Sequence, residues 1–284
     1  MLYRSVKRLL SEVTPLYEAL LNIKYRNRNL PSSRGFSNSC GELHDNETIF
    51  TEIFRNNLWG DPSSASGSGS NLQYTRRLRK QLPWVFANLN ITSVLDAPCG
   101  DFFWMKEVKF YDELNYVGGD IVGEMINQLG NKHSNSKRNF VHLDVVNDML
   151  PRADLWLCRD CFIHLSNDEV MRSLCNFVRS RIQYLLTTTY NFGRYNSDIN
   201  SGDLRYLNLT KGPFNLPKPL LLIRDYEFPF LPRRLALWNR HQVERALAVG
   251  PTHRCLDRQM QAVESVIEGD FDAAQNPSPS TPAA

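Results

Sequence analysis

Residues 91–105 read ITSVLDAPCGDFFWM, an apolar strand that runs into an acidic loop. Asp96 closes the strand, and the loop that follows holds one glycine, Gly100, and a second carboxylate, Asp101. Glycine allows a tight turn where a Cβ would obstruct a ligand. Because open α/β sheets bind ligands at the carboxyl ends of their strands, we expect a binding site directly after this strand.

Short apolar strands alternate with helical segments on both sides of this motif. Strands are predicted at 92–96, 115–120, 139–143, 153–158 and 184–189, and the clearest helix lies at 167–181. Two later apolar segments, 219–226 and 235–239, are expected to complete the sheet. This alternation predicts an α/β fold with a doubly wound, mostly parallel sheet that is covered on both faces.

The sequence predicts three parts along the chain, of which the second contains this core. Residues 1–45 form an N-terminal extension, in which 2–23 have helical spacing and the remainder is a polar linker. Residues 46–268 form the main domain and begin with a helical lid at 46–90, in which helices at 46–59 and 71–89 flank a Gly/Ser-rich stretch. The Pro/Ser-rich tail at 269–284 is expected to be disordered.

The helix at 2–23 begins with three basic residues and allows two interpretations. It docks on the domain or on a second subunit, or it makes a peripheral contact with an anionic membrane surface. No apolar run reaches the roughly 20 residues of a transmembrane helix.

The composition argues against several classes of protein. The 284 residues are 42% hydrophobic, with 33 basic and 30 acidic side chains and a net charge of +3. A nucleic-acid partner is not expected from so even a balance. The six cysteines show no regular framework, which predicts reduced thiols in a cytoplasmic protein.

The charge of the loop after the first strand separates two classes of cofactor. A dinucleotide site needs G-x-G-x-x-G, whereas this loop has one glycine and two carboxylates that would repel a pyrophosphate. The carboxylates favour S-adenosylmethionine, which carries an ammonium and a sulfonium. Asp120 ends the second strand and is expected at the ribose hydroxyls, and Asp144 follows the third strand and is expected at the adenine.

These segments resemble the motifs of a known enzyme family. ITSVLDAPCGDFFWM resembles motif I of the class I S-adenosylmethionine-dependent methyltransferases, YVGGDIV resembles motif II, the segment around Asp144 resembles motif III and LWLCRDCFIHLS resembles motif IV. The match is more specific to a subgroup with WG…SGSGSNLQYTRRLRKQLP, PCGDFFWM and LLTTTY. The resemblance implies a Rossmann-like methyltransferase fold and S-adenosylmethionine as cofactor. The motif I loop departs from the family at Pro98 and Phe102, where glycines are usual, so its path is expected to differ.

The candidate site residues fall into three groups. The cofactor-binding residues are Asp96, Pro98, Gly100, Asp101, Asp120, Ile121, Asp144, Val145 and Arg159. His164 is the candidate base for a hydroxyl acceptor, and Asp160 either orients it or contacts the cofactor. The polar loop at 190–218 supplies Asn196, Asp198, Asn200 and Arg205 as acceptor-binding residues.

The predicted function is therefore methyl transfer from S-adenosylmethionine to a small polar or sugar-like molecule. The Gly/Ser stretch, with Trp59 and Ser66, is expected to close over the site as a lid. No metal is expected, since Cys158, Cys161 and His164 lack a fourth zinc ligand. Two alternatives stay open: an NAD(P)-dependent oxidoreductase, and a non-catalytic binding protein with the same fold.

Overall fold

The computed structural model describes residues 19–20, 23–24, 32–33, 45–110, 114–226 and 232–249. The predicted disordered tail lies outside these ranges, as does almost all of the N-terminal extension. Residues 19–20 and 23–24 are helical, and Ser32–Ser33 pairs antiparallel with Leu204–Arg205. None of the helices in the described ranges is both long and apolar enough to cross a membrane.

The core of the molecule is one seven-stranded sheet. Its strands are β1 (Ser93–Asp96), β2 (Asn115–Asp120), β3 (Arg138–His142), β4 (Leu155–Cys158), β5 (Tyr184–Tyr190), β6 (Leu221–Arg224) and β7 (Arg233–Asn239). Their order is β3-β2-β1-β4-β5-β7-β6, and only β7 runs antiparallel to its neighbours. The strand order reverses between β1 and β4, which places the expected ligand site at their carboxyl ends.

Helices cover both faces of the sheet. They are α1 (Asn46–Arg55), α2 (Leu78–Asn88), α3 (Gly123–His133), α4 (Asn167–Ser180) and α5 (Arg240–Val249). Successive strand residues alternate between two buried clusters: Leu95 and Trp156 pack on the side of α4 and α5, whereas Val94 and Leu157 pack on the side of α2 and α3. The prediction of a doubly wound, mostly parallel sheet is confirmed.

The predicted helix at 71–89 is wrong over its first turns. Asn71 accepts a hydrogen bond from the backbone N–H of Tyr74 at 2.8 Å, and Thr75 donates its hydroxyl to the Asn71 carbonyl at 2.8 Å. These bonds stabilise turns and a short 3-10 helix, because Asn and Thr side chains compete with helical bonding. The regular helix α2 begins at Leu78.

Candidate active site

A cleft opens at the carboxyl ends of the central strands, where open α/β sheets bind their ligands. Eight of the nine predicted cofactor residues line it: Asp96, Pro98, Gly100, Asp120, Ile121, Asp144, Val145 and Arg159. Asp160 and His164 also line the cleft, so the structure brings the two predicted groups together.

Asp96 is a buried carboxyl at the end of β1. It is 2% exposed, and the Tyr116 hydroxyl donates to its Oδ2 at 2.6 Å. Burial raises the pKa of Asp96 to about 7, against the opposing effects of the Tyr116 hydrogen bond and the Arg159 charge. A carboxylate in this position lacks full charge compensation from the protein and would bind a cation favourably.

Asp120 is held in place at the end of β2 by two backbone groups. Gly100 N–H donates to its Oδ2 at 3.0 Å, and Val122 N–H donates to its Oδ1 at 3.1 Å. Burial raises the pKa of Asp120 to about 6, although these two hydrogen bonds lower it. A carboxylate has about four acceptor positions, so these bonds leave acceptor capacity for a ligand.

The third carboxylate, Asp144, follows β3 and lies beside apolar side chains. Its oxygens accept from the Val146 N–H at 2.8 Å and from the Asn147 amide at 2.6 Å, which fixes its orientation. Ile121 and Val145 line the same part of the cleft. This part therefore combines apolar walls with one oriented acceptor.

Pro98 and Phe102, where the family resemblance leads one to expect glycines, lie in different environments. Phe102 has a φ of +57°, and its buried ring packs against Tyr116 and Phe140 with centroid distances of 5.4 and 5.1 Å. Pro98 follows Ala97 through a cis peptide bond and lines the cleft. The turn after β1 thus places an aromatic ring in the core, and the expected departure from the family's loop path stays a prediction.

Asp101, the ninth predicted cofactor residue, does not line the cleft but holds the Gly/Ser segment. Its Oδ2 accepts from the Ala65 N–H at 2.9 Å, and its own N–H donates to the Ser66 hydroxyl at 2.9 Å. A Cβ on Gly100, whose φ is +55°, would lie 2.2 Å from Ser66 Oγ. The segment predicted as a lid therefore lies directly on the loop that follows β1.

A cluster of two arginines and two aspartates lies at the cleft wall, and two of its members, Arg159 and Asp160, line the cleft. Arg159 donates to Asp225 at 2.9 Å and to the carbonyl of Gly69 in the lid segment at 2.7 Å. Arg233 bonds both Asp225, at 3.0 Å, and Asp160. Burial alone would raise the pKa of Asp160, but Arg233 and Arg159 outweigh it and hold that pKa below its usual range.

His164 lies on the cleft wall with one ring nitrogen occupied. Its Nδ1 is 2.9 Å from the carbonyl oxygen of Asp203. A carbonyl only accepts, so Nδ1 carries the hydrogen and Nε2 carries the lone pair. Burial lowers the pKa of His164, although the Asp203 hydrogen bond and the Asp160 charge raise it. The orienting group is thus the Asp203 carbonyl, where sequence analysis considered Asp160.

The four polar residues of the 190–218 loop do not line the cleft. Asn196 donates to carbonyls of its own loop, and Asp198 accepts from the first N–H of α4 at 2.8 Å. Arg205 is 1% exposed and donates to the Leu165 carbonyl at 2.6 Å, whereas Asn200 is exposed. Three of these side chains therefore organise the loop and the start of α4.

Sequence reasoning missed an aromatic part of the cleft wall. Phe50 and Phe54 of α1 line the cleft together with Trp104 and Met125. The apolar face of residues 46–59 was visible in the sequence, but nothing local indicates that α1 crosses the carboxyl edge of the sheet. Its ends are held there by the Asn46–Glu169 hydrogen bond and the Arg55–Glu124 ion pair, which join residues distant in sequence.

Cys158 at the end of β4 and Cys161 in the loop after it are buried thiols. Cys158 is fully buried, and burial raises the pKa of its thiol well above the usual value. Cys161 is 9% exposed and lines the cleft. Within the described residues no group of three His, Cys, Asp or Glu side chains is arranged to hold a metal ion.

Comparison with known proteins supports the architecture. No protein-family model matches the chain, and no curated protein matches it. A S-adenosylmethionine-dependent methyltransferase from Leishmania major aligns with a TM-score of 0.53 and 14% identity, over 74% of this chain and 98% of that one. The fold is that of a Rossmann-like methyltransferase.

Two further methyltransferase structures are similar at lower scores. Magnesium protoporphyrin IX methyltransferase from Synechocystis PCC 6803, solved with S-adenosylhomocysteine, aligns with a TM-score of 0.48 and 16% identity over 69% of this chain and all of that one. Human N-acetylserotonin methyltransferase, solved with S-adenosylmethionine, aligns with a TM-score of 0.38 and 18% identity over 51% of this chain. The chain spans less than half of that human enzyme, at 42% of its length.

Proposed function

We propose that this protein transfers a methyl group from S-adenosylmethionine to a hydroxyl group of a small molecule. One observation carries the proposal: in a methyltransferase fold, two buried carboxyls with raised pKa values, Asp96 and Asp120, line the cleft at the switch in strand order. S-adenosylmethionine supplies a methyl group on a positively charged sulfur, and its methionine part carries an ammonium.

The residues of the cleft fit such a cofactor by their chemistry. Asp96 is a buried carboxyl without a cationic partner in hydrogen-bond contact among the described residues, so it suits the ammonium. Asp120 keeps free acceptor positions and suits two vicinal hydroxyls. Asp144, Ile121 and Val145 combine an acceptor with apolar walls and suit the adenine.

Four further predicted residues have supporting roles in this proposal. Gly100 and Pro98 shape the loop beside Asp96, and Gly100 also positions the Asp120 carboxylate through its N–H. Arg159 borders the cleft but is engaged with Asp225 and the lid segment. Asp101 acts indirectly. It holds the lid segment by hydrogen bonds, and the closed lid excludes water from the cleft.

His164 is the proposed general base. A lowered pKa keeps its imidazole neutral at pH 7, and the Asp203 carbonyl fixes the tautomer that leaves Nε2 as the acceptor. Nε2 has no hydrogen-bond partner among the described side chains and backbone groups. It can therefore accept the hydroxyl proton as the acceptor oxygen attacks. Asp160 is held by Arg233 and contributes negative charge near the ring.

The sequence-based expectation of a polar or sugar-like acceptor is no longer supported by the residues from which it was inferred. That preference came from Asn196, Asp198, Asn200 and Arg205, and none of the four lines the cleft. The acceptor is better inferred from the side chains that do line it.

Calorimetric titration with S-adenosylmethionine, S-adenosylhomocysteine and NAD⁺ tests the cofactor assignment. We expect micromolar binding of the first two compounds and a loss of about 1.5–3 kcal/mol in Asp120→Asn, the usual worth of a hydrogen bond to a charged group. Asp168→Asn, at an exposed position on α4, is the matched control and should bind normally. Binding of NAD⁺ alone by folded protein would contradict the proposal.

A further inference from the structure

One side of the cleft is formed by residues that hold none of the strand-end carboxylates. We call it the acceptor wall, and it consists of Phe50, Trp59, Cys161, His164 and Leu165. These residues come from α1, the turn that follows it and the loop after β4. Four of the five are apolar, so this wall favours a ligand with an apolar body.

The charged groups beside the acceptor wall are already paired. Both oxygens of Asp160 are engaged, Oδ1 by Thr188 at 3.0 Å and Oδ2 by Arg233. Arg159 is engaged by Asp225 and by the Gly69 carbonyl. A charged acceptor would therefore find no unpaired counter-charge in these two groups, and burying its own charge without a partner is costly. A neutral acceptor meets no such penalty.

The acceptor wall offers few hydrogen bonds. Among the side chains of its five residues, Nε2 of His164 is the only strong acceptor, and the Cys161 thiol is a weak donor. A sugar carries several hydroxyls, and each one buried without a partner costs about 1–3 kcal/mol. The wall therefore suits a molecule with one hydroxyl rather than many.

Trp59 gives the wall a flat aromatic surface. Its ring lies 5.1 Å from that of His164 with an interplanar angle of 30°, and Phe50 lies 6.4 Å away on another side. Gly67, at a φ of +83°, passes so close that a Cβ would lie 3.1 Å from Trp59 Cβ. The indole is thereby held in place, yet Trp59 stays 38% exposed and available to a flat partner.

The base also selects the kind of hydroxyl. His164 is a weak base because burial lowers its pKa. A phenolic hydroxyl has a pKa of about 10, whereas water, which resembles an aliphatic alcohol in this respect, is a far weaker acid. Transfer of the hydroxyl proton to imidazole is therefore much less unfavourable for a phenol than for an aliphatic alcohol.

We infer that the acceptor is a flat, uncharged aromatic molecule with a phenolic hydroxyl, which packs on Trp59 and presents its oxygen to His164. This inference rests on the proposed methyl transfer. In that reaction the phenolic oxygen forms a bond to the methyl carbon while the carbon–sulfur bond breaks, and its electron pair stays on sulfur. The phenolic proton passes to Nε2 of His164.

The test measures binding of two probes to the full chain saturated with S-adenosylhomocysteine. The probes are 2-naphthol and methyl β-glucoside, and they are titrated into the wild type, Trp59→Leu, Trp59→Phe and Trp84→Leu. Trp84 is a matched control, because it is 63% exposed on α2 and does not line the cleft.

We expect 2-naphthol to bind more tightly than the glucoside. Loss of the aromatic face in Trp59→Leu should weaken naphthol binding about three- to tenfold, from the usual worth of an aromatic pair. Trp59→Phe should restore most of it, and Trp84→Leu should bind like the wild type. In turnover with 2-naphthol, the Trp59→Leu defect should appear in KM more than in kcat.

Three results would overturn the inference. They are tighter binding of the glucoside, no binding of 2-naphthol to the loaded protein, and naphthol binding that does not respond to Trp59→Leu. If S-adenosylhomocysteine itself does not bind, the proposed function is refuted instead. That outcome is detected separately, by the calorimetric titration that tests the cofactor assignment.

Discussion

Replacing Asp96 with asparagine should weaken cofactor binding and stabilise the unliganded protein at alkaline pH. The wild-type carboxyl has a pKa of about 7 in the folded protein because it is buried, against about 3.9 in an unfolded chain. Because the pKa is raised, the contribution of Asp96 to the free energy of unfolding is fully present below about pH 4. It is lost as the pH rises through about 7. Asparagine removes this loss, since it has no charge to bury.

The size of the effect follows from the two pKa values. Between pH 5 and pH 8, ionisation of Asp96 should cost the folded wild type roughly 2–3 kcal/mol that Asp96→Asn does not lose. The Tyr116 hydroxyl can still donate to the asparagine side-chain oxygen, so that contact is retained. Affinity for S-adenosylhomocysteine should fall about ten- to hundredfold at pH 8, from the loss of a charged hydrogen-bond partner.

Urea unfolding at pH 5, 6.5 and 8 measures the stability difference. The measured quantity is the free energy of unfolding of Asp96→Asn minus that of the wild type, with Asp168→Asn as the matched exposed control. The difference should grow with pH for Asp96→Asn and stay flat for the control. A difference that does not change with pH would refute the assignment of a raised pKa to Asp96.

Three further substitutions test other parts of the site. His164→Gln should lower the methyl-transfer rate about 10²- to 10⁴-fold, as measured by S-adenosylhomocysteine release, while calorimetry shows unchanged cofactor affinity; an unchanged rate would exclude it as the base. Gly100→Ala should abolish cofactor binding in calorimetry, because φ is +55° and the new Cβ meets Ser66 Oγ at 2.2 Å; normal binding would show that the loop adapts freely. Arg233→Leu should lower the free energy of unfolding by about 3–5 kcal/mol in urea titration, because it leaves Asp160 in a buried cluster with less positive charge; a loss below 1 kcal/mol would contradict the view that this cluster needs its cation.

The sheet was predictable because its determinants are local. The run Leu155–Cys158 is apolar throughout and is buried on both faces, as the strands of a parallel sheet are expected to be. The acids at strand ends were predictable for the same reason, since the carboxyl ends of parallel strands meet at one edge. Asp96 and Asp120 accordingly line one cleft.

The helical lid was predicted only in part. The Gly/Ser segment does lie on the loop that follows β1, and Asp101, which the sequence suggested as a cofactor ligand, bonds Ala65 and Ser66 there. A carboxylate after a strand has the same sequence signal whether it binds a ligand or a neighbouring loop. The two roles are distinguished only by the folded structure, which brings Ala65 next to Asp101 although they are 36 residues apart in sequence.

The buried ion cluster and the role of the polar loop lay beyond sequence reasoning. Arg159 meets Asp225 across 66 residues of chain, and no local pattern specifies that pairing. The same limit applies to Asn196 and Arg205, which looked available for a ligand. In the folded chain their donors bond backbone carbonyls, because a loop without regular structure must satisfy its polar groups in other ways.

A crystal structure of the full chain with S-adenosylhomocysteine tests the central claim most directly. The account predicts the ligand in the cleft, with its ribose hydroxyls on Asp120, its amino group on Asp96 and its adenine beside Asp144. Electron density for the ligand elsewhere, or an empty cleft at saturating concentration, would contradict it.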